Sequence, residues 1–244
     1  GDQAADRQER VNRSFQRGKS AASGLERRLL SLAKAYLGLR SAQAFVNLSD
    51  AMVETTARLD RMNDGLQTTA ELNQMIYQAA QRSRGSYQET AGLVGKLGTM
   101  AGDAFSSSGE LVAFAEQVNK QMALAGTSAA GKQAALLQLT QALSAGALRG
   151  EELNSILEQA PTIAQSIAKY LGVSVGQMRE LASQGQITAQ VVKAALFEAA
   201  AETNAAFADI PLTFGQAWIM AGNAAVMAFQ PALEKLNGLL NSDL

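Results

Sequence analysis

Two adjacent carboxylates, Glu151 and Glu152, are the nearest thing in this chain to an acid–base pair. Neighbouring residues on a helix point in different directions, so the two cannot converge on one substrate atom. They follow Gly150, and acids in a first helical turn serve the helix dipole. Gly18-Lys19-Ser20 matches the end of a phosphate-binding loop. The spacing requires glycine at position 13, where this chain has Arg13, and a strand before it, which the pattern lacks. The stretch IAKYLGVSVGQMRELASQG, Ile167 to Gly185, has the form of a DNA-binding helix-turn-helix. Its second helix would carry one arginine, Arg179, and one acid, Glu180, and residues 149–200 hold four basic against five acidic residues. A groove reader surrounds its recognition helix with phosphate-neutralising cations. Ile167, Ala168, Leu171, Val173, Met178 and Leu181 are also the core positions of any short helical corner. The structural corner is therefore the favoured reading, and a helix-turn-helix DNA-binding protein the alternative.

Composition narrows the chemistry further. There is no cysteine and no histidine among the 244 residues. Disulfides, thiolate nucleophiles, the usual zinc sites and the commonest general base are excluded. A carboxylate pair or a lysine base remains possible in principle, yet no catalytic, cofactor or metal residue can be named, and the chain reads as a non-enzyme. The formal net charge is -1 and the pI about 5.7, without the basic footprint of specific nucleic-acid recognition. The polar N-terminal residues do not read as a signal peptide. Gly1 and the Asn241-Ser242-Asp243-Leu244 ending suggest a fragment of a longer chain.

Elements of this kind must be helical. Apolar residues make up 47% of the chain, much of it alanine, with three prolines. Nothing alternates with period two, so the expectation is all-α with no sheet: long N-terminal amphipathic or coiled-coil helices, then a compact bundle of short helices. Three segments are expected. Residues 1–85 form a long helical or coiled-coil segment, 86–210 a compact multi-helix domain, and 211–244 an apolar C-terminal helix.

In the first segment, Phe15, Ala22, Leu25, Leu29, Leu32, Tyr36, Leu39 and Val46, with Gly18 and Gln43 between them, recur in steps of three and four, a seam for coiled-coil self-association. A long amphipathic helix packed on its own domain fits the same spacing. Residues 1–60 hold ten basic and seven acidic residues, a solvated surface. A second helical stretch runs from about Ala51 to Gln81, with a turn at Asn63-Asp64-Gly65, and ends near Arg84-Gly85. Capping signals mark the short helices. Ser107 with Glu110 opens a helix that stops at Gly126, and Ser128 opens one that stops at Gly146. Gly150 starts another, Pro161 begins the next, and Gly172 ends it. Ser174 with Gln177 caps a helix closed by Gly185, and Thr188 opens a longer one reaching about Ala208. After Pro211 a last apolar helix spans about Thr213 to Leu240, with Pro231 inside.

Phe214 to Leu233 is a run of twenty residues without a charge, long enough for a membrane span. Gln216, Asn223, Gln230, two glycines and Pro231 argue instead for a buried or self-packing helix. Phe214, Trp218, Met220, Val226 and Phe229 are its candidate membrane or self-packing residues.

The run from Ala142 to Leu196, ALSAGALRGEELNSILEQAPTIAQSIAKYLGVSVGQMRELASQGQITAQVVKAAL, resembles a segment of phage tail tape measure proteins. The pieces that carry the likeness are Gly150-Glu151-Glu152, Glu158-Gln159-Ala160-Pro161, Leu171-Gly172-Val173-Ser174 and Gly185-Gln186-Ile187-Thr188. The polar helical texture of Ala57 to Leu97, with its turn from Arg82 to Tyr87, extends it to roughly residues 50–235. The resemblance implies a structural virion protein in the lumen of the phage tail, made in the host cytoplasm, that sets tail length and assists DNA ejection. The partners it implies are other copies of the chain, the tail tube protein, tail assembly chaperones and tail tip proteins. It leaves the host membrane as a further partner, and a membrane-active ejection protein as a second alternative. Peptidoglycan-cleaving activity, which some members carry, is not transferred to a chain without histidine or cysteine.

Overall fold

A computed structural model describes the backbone of residues 42–242 and the side chains of residues 50–228 and 230. The coiled-coil positions Phe15, Ala22, Leu25, Leu29, Leu32, Tyr36, Leu39 and Val46 lie outside the described side chains. The chain divides into two units after Asp50, and the packed core belongs to the unit from Ala51 onward.

The described residues form eleven α-helices and no sheet, as the sequence predicts. In chain order they are α1 (Ala42–Met62), α2 (Thr69–Arg82), α3 (Tyr87–Ala101), α4 (Ser108–Leu124), α5 (Ala129–Ser144), α6 (Gly150–Gln159), α7 (Pro161–Leu171), α8 (Val175–Ser183), α9 (Ala189–Glu198), α10 (Ala200–Asp209) and α11 (Phe214–Ser242). A 3-10 turn, Gly102–Ala104, joins α3 to α4.

The helix starts follow from local chemistry. Ser107, Ser128, Ser174 and Thr188 each accept a hydrogen bond from the backbone N–H three residues on, satisfying one orphan donor of the first turn. Ser174 and Gln177 complete a reciprocal capping box, as do Thr68 and Glu71. Ser107 and Glu110 do not. The Glu110 carboxylate reaches one residue further back, accepting from Ser106 N (2.6 Å) and Ser106 Oγ (2.9 Å), and takes Lys193 Nζ at 3.2 Å. Pro161 occupies the first turn of α7, and Gly172 closes that helix at φ +65°, a conformation that costs any residue with a Cβ.

Two expectations need correction. The helix opened by Thr188 is two helices, α9 and α10, which meet at Ala199 (φ -72°, ψ -7°). Neither glycine nor proline stands there. The second concerns the end of the helical texture read to Leu97: α3 runs on to Ala101, through Gly92, Gly95 and Gly98. Gly95 and Gly98 face α1, where an added Cβ would come 2.7 Å from Arg58 Cδ and 2.5 Å from Met62 Sδ. The glycines that weaken the helix signal are the ones that let α1 approach.

A continuous apolar core runs from Leu59 to Leu196. At its middle lies α4, which packs against α2, α3, α7, α9 and α10. Phe114 of α4 is fully buried and meets Phe105 and Phe197 edge-on, at centroid distances of 5.2 and 6.3 Å. The linkers before α6 and α9 are tied by Leu148 N to Ile187 O (2.8 Å) and Ala189 N to Gly146 O (2.9 Å).

Candidate functional site

The helix-turn-helix stretch forms α7 and α8. Ile167, Ala168, Met178 and Ala182 are buried in the core, with Leu171, Val173 and Leu181 packed on it. The corner's apolar positions serve packing, and Arg179 is the one basic residue of α8. Glu151 and Glu152 stand in the first turn of α6, with Glu151 exposed. Among the described residues no group of three or more His, Cys, Asp or Glu is placed to hold a metal.

The concentrated polar chemistry lies on α4, in residues that sequence reasoning missed. Glu116, Gln117, Lys120 and Gln121 occupy one face of the helix at steps of one and four, and all four are buried. The Glu116 carboxylate accepts from Arg82 at 2.7 Å and Lys120 Nζ at 2.7 Å. Lys120 also donates to Asn204 Oδ1 at 2.7 Å, and its ammonium lies 5.8 Å from the centre of the Phe207 ring. Arg84 covers the same ring at 4.7 Å and donates to Ile210 O at 2.7 Å. Gln121 bonds Thr203 of α10, and it accepts through its backbone and side chain from Thr162 and Ser166 of α7. Burial pushes the Glu116 carboxyl up. The hydrogen bonds and charges of Arg82 and Lys120 together overcome this and hold it below the usual carboxylate range. A buried charge needs such partners, because an unpaired one is strongly unfavourable. This is a polar seam, and α10 closes it.

One residue of α11 ties that helix to the turn between α2 and α3. Asn223, 5% exposed, accepts from Tyr87 N at 2.8 Å and donates to Gly85 O at 2.8 Å. It clamps the turn between α2 and α3 as a backbone segment would. Tyr87 in turn donates to Asn73 Oδ1 at 2.8 Å, and burial raises its hydroxyl to about 12. The asparagine within the uncharged run thus helps to seat α11, together with Gln81 on the Met220 carbonyl and Val226 and Met227 on the core.

The candidate residues of α11 are split by this seating. Phe214 is 84% exposed and Trp218 40% exposed. Met220 is half-buried, and its carbonyl accepts from Gln81. Val226 packs against the core, and Phe229 lies outside the described side chains. Among the described residues no helix is long and apolar enough to cross a membrane.

A family model described as "Tape measure protein" matches residues 43–234, most of the chain. The chain belongs to the tape measure protein family. The matched stretch runs from α1 into α11 and contains the Ala142–Leu196 segment on which the resemblance rests. No curated protein and no solved structure matches it. As a tape measure protein it is a structural component of the phage tail and associates with other tail components in the virion. The buried seam on α4 therefore belongs to a structural protein of a virus particle.

Proposed function

We propose that this tape measure protein lies in the lumen of the tail tube, sets tail length during assembly and assists DNA ejection. Family membership over residues 43–234 carries this reading. The all-helical architecture supports it, because a helix converts residue number into length at about 1.5 Å per residue. The proposed partners are other copies of the chain, meeting along Phe15, Ala22, Leu25, Leu29, Leu32, Tyr36, Leu39 and Val46, together with the tail tube protein, tail assembly chaperones and tail tip proteins. The test is deletion of Ala22 to Ala42, three heptads, in the virus that encodes the chain, followed by electron microscopy of tails. Tails shorter by about 31 Å support a ruler that includes this stretch. Normal tails on viable particles remove residues 22–42 from the ruler.

A second reading, contact with the host membrane, rests on the exposed Leu212 and Phe214 at the start of α11. Dye leakage from liposomes, lost on Phe214→Glu, supports it. Leakage unchanged by that charge counts against it.

A further inference from the structure

The break between α9 and α10 has no cause in its own residues. Seven of the fourteen residues from Ala195 to Ala208 are alanine, the best helix former, and none is glycine or proline. Ala199 departs from helical geometry in one angle, a ψ of -7°, which is a rotation of roughly 35° from the helical value. Local preference therefore favours one straight helix, and contacts to α4 hold the bend.

Those contacts are of an unusual kind for a helix packed on a core. From residue 200 to 228 only Thr203, Phe207 and Asn223 are buried. Thr203 meets Gln121, and Asn204 meets Gln117 and Lys120. The Phe207 ring is flanked by Lys120 and Arg84 rather than by an apolar wall alone. Lys169 and Glu202 add an ion pair whose side chains are about seven-tenths exposed. Hydrogen bonds and ion pairs of this sort are exchanged for water at small net loss. The face of α4 left behind would present Glu116, Gln117, Lys120 and Gln121, which hydrate readily.

We propose that Ala199 is a hinge: when the polar seam releases, α9 and α10 join into one continuous helix and the chain from residue 200 onward swings off the body as an arm. Opening rotates Ala199 ψ and gives up the polar contacts of α10, the burial of Phe207, the Asn223 clamp and the packing of Val226 and Met227 on the core. Such an element has two discrete arrangements whose balance small changes can shift. The hinge is a property of the isolated chain and stands apart from the role in setting tail length.

The chain has no cysteine, so Gln133→Cys on α5 and Ala206→Cys on α10 give a clean spin-label pair at exposed positions. Distances between the labels are measured in the full chain, with helicity followed by circular dichroism. Asn204→Lys sets a like charge against Lys120, and Asn204→Asp sets an opposite one. The expected result is a second, longer and narrow distance in Asn204→Lys, with helicity undiminished and an open fraction at least tenfold that of Asn204→Asp. Phe207→Ala, which removes the apolar anchor without adding charge, is expected to give the same longer distance. A single unchanged distance in both Asn204→Lys and Phe207→Ala overturns the hinge. So does a broad distribution accompanied by loss of helicity, because the arm would then melt instead of swinging.

Discussion

The two sides of α4 hold the molecule together by different physics. One side carries Leu111, Phe114, Ala115 and Val118 into an apolar core shared by α2, α3, α5, α7 and α9. The other carries Glu116 and Lys120 into a polar seam closed by α10. Apolar burial is non-directional and large, about 1.5–3 kcal/mol for each large side chain. The seam has specific partners and distances, and each of its bonds replaces one to water. The core side therefore sets stability, and the seam side sets where α10 sits.

The comparison is sharpened most by Phe114→Ala. The ring is fully buried between Phe105 and Phe197. A loss of about 3–5 kcal/mol is expected, read as a lower urea midpoint for the whole unit with an unchanged slope. Gly98→Leu drives a side chain into Met62 and is expected to cost about 1–3 kcal/mol, displacing α1 from α3. Asn223→Ala removes two hydrogen bonds and strands Tyr87 N–H and Gly85 C=O. It is expected to cost about 1–3 kcal/mol, confined to α11. That change is visible in the emission of Trp218, the chain's single tryptophan.

The pH response has a definite sign. Glu116 is held below the usual carboxylate range when folded. Its contribution is complete above its unfolded value of about 4.3 and is lost as pH falls through the lower folded value. The seam should therefore loosen in acid below about pH 4. Glu116→Gln should remove this component of the transition, observed by Trp218 emission. Leu137→Asp is the smallest effect. The side chain is 52% exposed on α5, and a change within about 0.5 kcal/mol is expected.

What the sequence makes legible is local. Ser107, Ser128, Ser174 and Thr188 as starts, and Gly126, Gly146, Gly172 and Gly185 as stops, depend on bonds within one turn of the chain, and all eight stand where the pattern puts them. The helical corner at Gly172 was legible for the same reason. The full length of α3 was less so, because Gly95 and Gly98 weaken its propensity for the sake of a neighbour more than thirty residues away. The break at Ala199 was not, because neither glycine nor proline marks it. The seam was hidden most deeply. Glu116 and Lys120 at a spacing of four look like a solvated surface pair, and only the return of α10 across them, some eighty residues later, makes them interior. The polar pairs Glu116-Gln117 and Lys120-Gln121, one turn apart on a helix rich in apolar residues, were the available signal.

On the proposed hinge, a firmly packed body carries an arm held largely by polar contacts. Native-state amide hydrogen exchange, resolved along the chain, tests it most directly. The account predicts that amides of α10 and of α11 through residue 228 exchange through an opening at least a hundredfold more populated than the one that exposes α4 and α5, on the order of 2.7 kcal/mol less costly. Exchange of α10, α11, α4 and α5 through one shared opening would contradict it, because arm and body would then be a single cooperative unit.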